Sequence, residues 1–142
     1  CLLTGLTILI SLGLILVLGF NLYFPVARKL SGQRYPALWG WRQAVVLTNS
    51  MAPALQPDDL IFIREASSYQ SGDILTYSTG RLLITHRLVE SNAAGFILQG
   101  NANKTPDRPV QPEKILGRTI IRLPYFGRPA RWLRSFFDML DR

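Results

Sequence analysis

Apolar positions fall into three textures along the chain. From Leu2 to Phe20 the residues LLTGLTILISLGLILVLGF carry no charge, and Asn21-Leu22-Tyr23-Phe24 adds an aromatic edge of the kind found at a membrane interface. At about 1.5 Å per residue, roughly 20 residues cross a hydrocarbon core roughly 30 Å thick. The pattern predicts a membrane-spanning helix over residues 1–24. A cleavable secretory signal has a shorter apolar core, about 7–15 residues, and a small-residue exit. Here the exit is Tyr-Phe-Pro followed by Arg28 and Lys29, which reads as a retained anchor.

Residues 25–42 (PVARKLSGQRYPALWGWR) mix Pro, Gly, Trp and basic residues without period, as a juxtamembrane linker does. From residue 43 to 127 the texture is that of strands. AVVLT (44–48), LIFIRE (60–65), DILTYS (73–78), LLITHRLVE (82–90), GFILQ (95–99) and ILGRTIIRLP (115–124) are rich in β-branched and aromatic residues. Turn signals divide them: Gln56-Pro57-Asp58-Asp59, Ser71-Gly72, Thr79-Gly80, Asn92 to Gly95 and Asn101 to Pro112. Six such runs predict a mostly β domain, a small barrel or pair of packed sheets. In residues 128–142, Trp132, Leu133, Phe136, Phe137 and Leu140 recur at helical spacing opposite Arg128, Arg131, Arg134, Asp138 and Asp141. That is an amphipathic helix, suited either to packing on the β domain or to lying in a membrane interface.

Charge and composition narrow the classes. The chain has 142 residues, 16 Lys+Arg against 9 Asp+Glu, a net charge of +7, and one cysteine. One cysteine closes no internal disulfide, and no Cys/His cluster has zinc-ligand spacing, so neither a metal nor a cofactor is expected. The basic residues are dispersed, and the chain lacks zinc-finger, RNP and helix-turn-helix patterns, which argues against nucleic acid. Dispersed positive charge on an anchored protein more simply meets anionic lipid headgroups. Arg28, Lys29 and Arg34 follow the span, yet the positive-inside rule compares two flanks, and with the chain starting at Cys1 it leaves orientation open.

Candidate chemistry sits in three places. In Val46-Leu47-Thr48-Asn49-Ser50-Met51-Ala52-Pro53 a strand runs into a polar cluster stopped by proline, which exposes and holds Ser50. His86 is the only histidine and shares a strand face with Ile84 and Leu88. Gly100-Asn101-Ala102-Asn103-Lys104-Thr105-Pro106-Asp107 is a loop ending in a carboxylate. Singly, these read as a turn serine, a core histidine and a capped surface turn. Together they supply a hydroxyl, a base to take its proton and a carboxylate to orient that base, the inventory for acyl transfer.

These residues also resemble the successive sequence boxes of type I signal peptidases: Ser50-Met51-Ala52-Pro53, Gly72-Asp73-Ile74-Leu75, Thr85-His86-Arg87, Gly100-Asn101-Ala102-Asn103 with Asp107, then Gly117 and Pro124-Tyr125-Phe126-Gly127. Histidine in place of the usual bacterial lysine is similar to the branch of endoplasmic-reticulum and archaeal enzymes. The resemblance spans roughly residues 2–127 and implies a membrane-anchored serine endopeptidase that removes signal peptides from secreted preproteins. It implies Ser50 as nucleophile, His86 as general base and Asp107 as its supporting carboxylate. Ser50 N–H and the Thr48 hydroxyl would serve the oxyanion. It further implies a single-pass protein of the cell membrane with the β domain on the extracytoplasmic face, whose partners are preprotein signal peptides and the lipid bilayer; it leaves accessory subunits open. One departure stands out: the pattern commonly reads Gly-Asp-x-Asn, and this chain has Gly100-Asn101-Ala102-Asn103. The carboxylate role then falls on Asp107.

Met51, Leu55, Leu60 and Ile61, close to Ser50 in sequence, are expected to line a groove for small residues before the scissile bond. Two other functions compete. A self-cleaving Ser-Lys repressor protease shares the Ser-Met-x-Pro box, but the only lysines are Lys29, Lys104 and Lys114, none in the strand that carries His86. A non-enzymatic anchored β module would leave Ser50 and His86 structural, and the distance between them discriminates.

Overall fold

The computed structural model describes residues 2–140, in two units. One unit comprises the N-terminal segment as far as Ala37 with the end of the chain from Arg134; the other spans Leu38–Leu133.

In the first unit, helix α1 runs Leu2–Ser31. It is long and apolar enough to cross a membrane. The helix does not stop where the sequence pattern places the start of a linker. Pro25 lies inside it, and the helix continues through Arg28 and Lys29 to Ser31, whose hydroxyl donates to the Ala27 carbonyl at 2.6 Å. Proline has no N–H for the carbonyl four residues back, which weakens the ladder there without ending it. Gly32, with φ +66°, follows the last turn, a conformation glycine adopts without steric cost.

The second unit is built on one six-stranded open antiparallel sheet. Its strands are β1 Trp41–Val45, β2 Leu60–Arg64, β3 Ile74–Ser78, β4 Leu83–Asn92, β5 Gly95–Gln99 and β6 Ile115–Leu123. Their order across the sheet is β1-β2-β6-β3-β4-β5. The last strand therefore lies between the second and third. The first strand starts earlier than the apolar run at 44–48 suggests, because Trp39 and Gly40 (φ 51° and 78°) turn the chain and Trp41 pairs with Arg64. Past Val45 the chain still pairs with the residues leading into β2: Val46 N–H donates to Asp59 O, and Val46 O accepts from Asp58 N–H, both at 2.9 Å.

Two apolar clusters hold the sheet. Leu75, Tyr77, Leu88, Leu98, Val110 and Ile115 form one; Met51, Leu55, Ile61 and Ile63 form the other. Each large apolar side chain so buried contributes about 1.5–3 kcal/mol. The segment after β5 folds back along that strand's free edge. Phe96 and Val110 exchange both backbone hydrogen bonds (2.9 and 2.8 Å), and Asp107 N–H donates to Leu98 O at 2.7 Å. Gly95 permits this approach, since a Cβ there would stand 2.6 Å from Val110 O.

Helix α2, Gly127–Leu140, begins over the turn before β2. Gly127 N–H donates to Asp58 O at 2.9 Å, Arg128 pairs with the Asp58 carboxylate at 3.0 Å, and Arg131 pairs with its other oxygen. The described apolar side chains Trp132, Phe136 and Met139 are exposed. The side chains of Leu133, Arg134, Phe137, Asp138 and Leu140, and all of Asp141, lie outside the described residues.

Candidate active site

Ser50 lies in the tight turn that follows β1. Ala52 N–H donates to Asn49 O and Leu55 N–H to Met51 O, so the backbone around the serine is curled and held. Its own carbonyl accepts from Ala102 N–H at 2.9 Å, which ties the turn to the loop after β5. That loop comes very close: a Cβ on Gly100 would stand 2.6 Å from Ser50 O.

His86 sits on β4 opposite Leu75 of β3, with 6% of its surface exposed. Its Nδ1 lies 2.6 Å from Asp107 Oδ2, and its Nε2 lies 3.2 Å from Ser50 Oγ. A carboxylate accepts only, so Nδ1 carries a proton, and in the neutral imidazole Nε2 then presents its lone pair to the serine hydroxyl. Thr48 Oγ1 is 3.2 Å from Ser50 Oγ. With Thr48 donating to Ser50, the serine proton is directed at His86. The sequence order Ser50, His86, Asp107 thus becomes one hydrogen-bonded line.

A fourth side chain joins it. Tyr77 of β3 donates its hydroxyl to Asp107 Oδ2 at 3.0 Å, the same oxygen that receives His86. Burial, with the Asp107 charge and this bond adding to it, pushes the phenol well above its ordinary pKa, so it stays a donor. Sequence reasoning misses Tyr77. Alternation alone places it on a buried face; the pairing of Tyr77 with Ile84 and Leu75 with His86 makes it a diagonal neighbour of the histidine.

Asn101 is turned away from the imidazole. Its Oδ1 accepts from Arg87 Nε at 3.0 Å, and Arg87 also donates to Gly72 O at 2.7 Å. Arg87 follows His86 on the strand and so leaves from the opposite face.

Met51, Leu55, Leu60 and Ile61 do not line an open groove. They are 1%, 2%, 4% and 1% exposed: Met51, Leu55 and Ile61 belong to the second apolar cluster, and Leu60 is buried on the opposite face of β2. Proximity in sequence to Ser50 says nothing of which way they point; the large apolar side chains in this stretch are drawn inward by the sheet. Among the described residues, no three His, Cys, Asp or Glu side chains gather as metal ligands.

The family model described as Peptidase S24-like matches residues 43–120, more than half of the chain. The chain belongs to the Peptidase S24-like family. The match begins within β1, ends within β6 and contains Ser50, His86 and Asp107. No curated protein matches the chain. Membership indicates a serine-peptidase type of function, and in this Peptidase S24-like chain the side chain facing the serine is an imidazole.

Proposed function

We propose that this protein is a membrane-anchored signal peptidase, a serine endopeptidase cutting preproteins after their signal peptides. The observation that carries the reading is the line Ser50 Oγ, His86 Nε2 (3.2 Å), His86 Nδ1, Asp107 Oδ2 (2.6 Å). His86 takes the Ser50 proton as Oγ attacks the scissile carbonyl, and Asp107 stabilises the imidazolium. The imidazolium then protonates the leaving amine, and water hydrolyses the acyl-enzyme by the reverse sequence. Ser50 N–H and the Thr48 hydroxyl are the groups proposed to serve the oxyanion.

Helix α1 supports the substrate class. A tethered peptidase meets signal peptides leaving the bilayer at high effective concentration, which a self-cleaving repressor does not need. The repressor reading also wants a lysine base, and His86 occupies that position beside Ser50.

The test is incubation of the full chain in detergent with a preprotein, wild type against Ser50→Ala. Processing by the wild type and none by the variant is expected; processing by both rejects the serine-peptidase reading, and cleavage of the chain itself in place of the preprotein favours the self-cleaving one.

A further inference from the structure

We infer that Tyr77 is a positioning residue for the Ser50–His86–Asp107 line, its hydroxyl holding the carboxylate oxygen that orients the imidazole. The inference rests on the peptidase reading above and adds a residue to it.

Packing does not ask for the hydroxyl. Tyr77 is buried in the cluster of Leu75, Leu88, Leu98, Val110 and Ile115, where phenylalanine would fill the same space. Burying a phenol costs free energy unless the hydroxyl finds a partner, and the partner here is Asp107 Oδ2. Asp107 is thereby held from two sides: its backbone N–H is fixed to Leu98 O, and its Oδ2 receives both Tyr77 and His86. Rotation of the carboxylate would break both side-chain bonds together. The phenol makes the orientation that suits His86 the one that the carboxylate keeps.

The phenol also has an electrostatic effect of definite sign. A donor on Oδ2 takes up part of the carboxylate charge, so the imidazolium is stabilised less than by an otherwise free carboxylate. The titratable groups joined by these hydrogen bonds are Tyr77 from β3, His86 from β4 and Asp107 from the loop after β5, and that loop also carries Lys104 and Arg108. The adjacent cation Arg87 is held on the other face by Asn101 and Gly72.

Tyr77→Phe in the full chain tests the inference, with preprotein processing measured across pH. The expected result is a kcat lowered by about 10- to 100-fold with KM little changed, as for a slightly misplaced reacting group. The acidic limb of the profile should also move to higher pH, because the imidazolium is then favoured. In Asp107→Asn, adding Tyr77→Phe should have almost no further effect, since the phenol acts through that carboxylate. An unchanged kcat and profile, or full additivity in the double variant, overturns the inference. His86 is the only histidine, so its Nδ1–H proton resonance gives a readout independent of substrate. That resonance should shift in Tyr77→Phe even if no preprotein is cut, the outcome that would reject the signal-peptidase reading alone. A resonance that stays in place would reject the role of Tyr77.

Discussion

Asp107 follows His86 by 21 positions, yet its Oδ2 lies 2.6 Å from His86 Nδ1. The contact is made by the loop after β5 turning back on that strand, with Asp107 N–H on Leu98 O. Replacing the carboxylate by its amide keeps the size and removes the charge. Asp107→Asn should lower kcat by about 10⁴-fold, the scale seen when the orienting acid of a serine triad is lost. Steady-state kinetics with a thermal melt check it. Near-normal turnover, with His86→Ala inactive, would show that Ser50 and His86 work as a pair.

Ser50→Ala should abolish processing and leave the fold standing. The serine side chain touches Thr48 and His86 and supports no core packing. Its removal should cost about 1–3 kcal/mol, the worth of two ordinary hydrogen bonds. Urea unfolding of the variant beside its activity separates the two effects.

Asn101→Asp tests the one break in the sequence pattern. Taken from sequence alone, a second carboxylate there would favour the cationic imidazole. The structure puts Arg87 Nε 3.0 Å from Asn101 Oδ1, so the new charge should pair with Arg87 and leave His86 alone. A gain of about 0.2–1 kcal/mol in stability is expected, typical of an exposed ion pair. The pH profile should not move; an upward shift of its acidic limb would mean that the introduced carboxylate reaches the imidazole.

Gly100→Ala should damage activity through the backbone. The added Cβ would meet Ser50 O at 2.6 Å and Asn103 Nδ2 at 2.7 Å. Either the serine turn or the loop leading to Asp107 must shift. A loss of about 1–3 kcal/mol is expected from the overpacking, with a drop in kcat larger than the fraction unfolded explains. Melting temperature and turnover on one preparation decide this.

Tyr77 predicts a difference at alkaline pH. Its phenol stays neutral in the folded protein well beyond the point, near about 10, where the unfolded phenol ionises. The unfolded state is therefore favoured increasingly as pH rises above about 10, and the contribution is fully present below that. Wild type should lose stability relative to Tyr77→Phe across that range and not below it. Denaturant midpoints of both proteins at about pH 8 and about pH 11, on either side of the free phenol's pKa, measure the gap.

Much of the architecture was legible because it is written in local patterns. An uncharged apolar run from Leu2 to Phe20 announces a long apolar helix whatever surrounds it, and β-branched runs between turn residues announce strands. The residue types Ser50, His86 and Asp107 could be read in order from their settings in a turn, a strand and a loop. What could not be read was who meets whom. Strand β6 enters between β2 and β3, and β1 starts at Trp41 because Arg64 is its partner, both consequences of pairings far apart in the chain. The same pairings turned Met51, Leu55, Leu60 and Ile61 into core and set Tyr77 diagonally beside His86. They also bring Arg87 and Asn101 together, away from the imidazole. Periodicity gives each strand two faces, but only the register and order of strands determine which atoms share a face, and those are settled by burying the whole sheet at once.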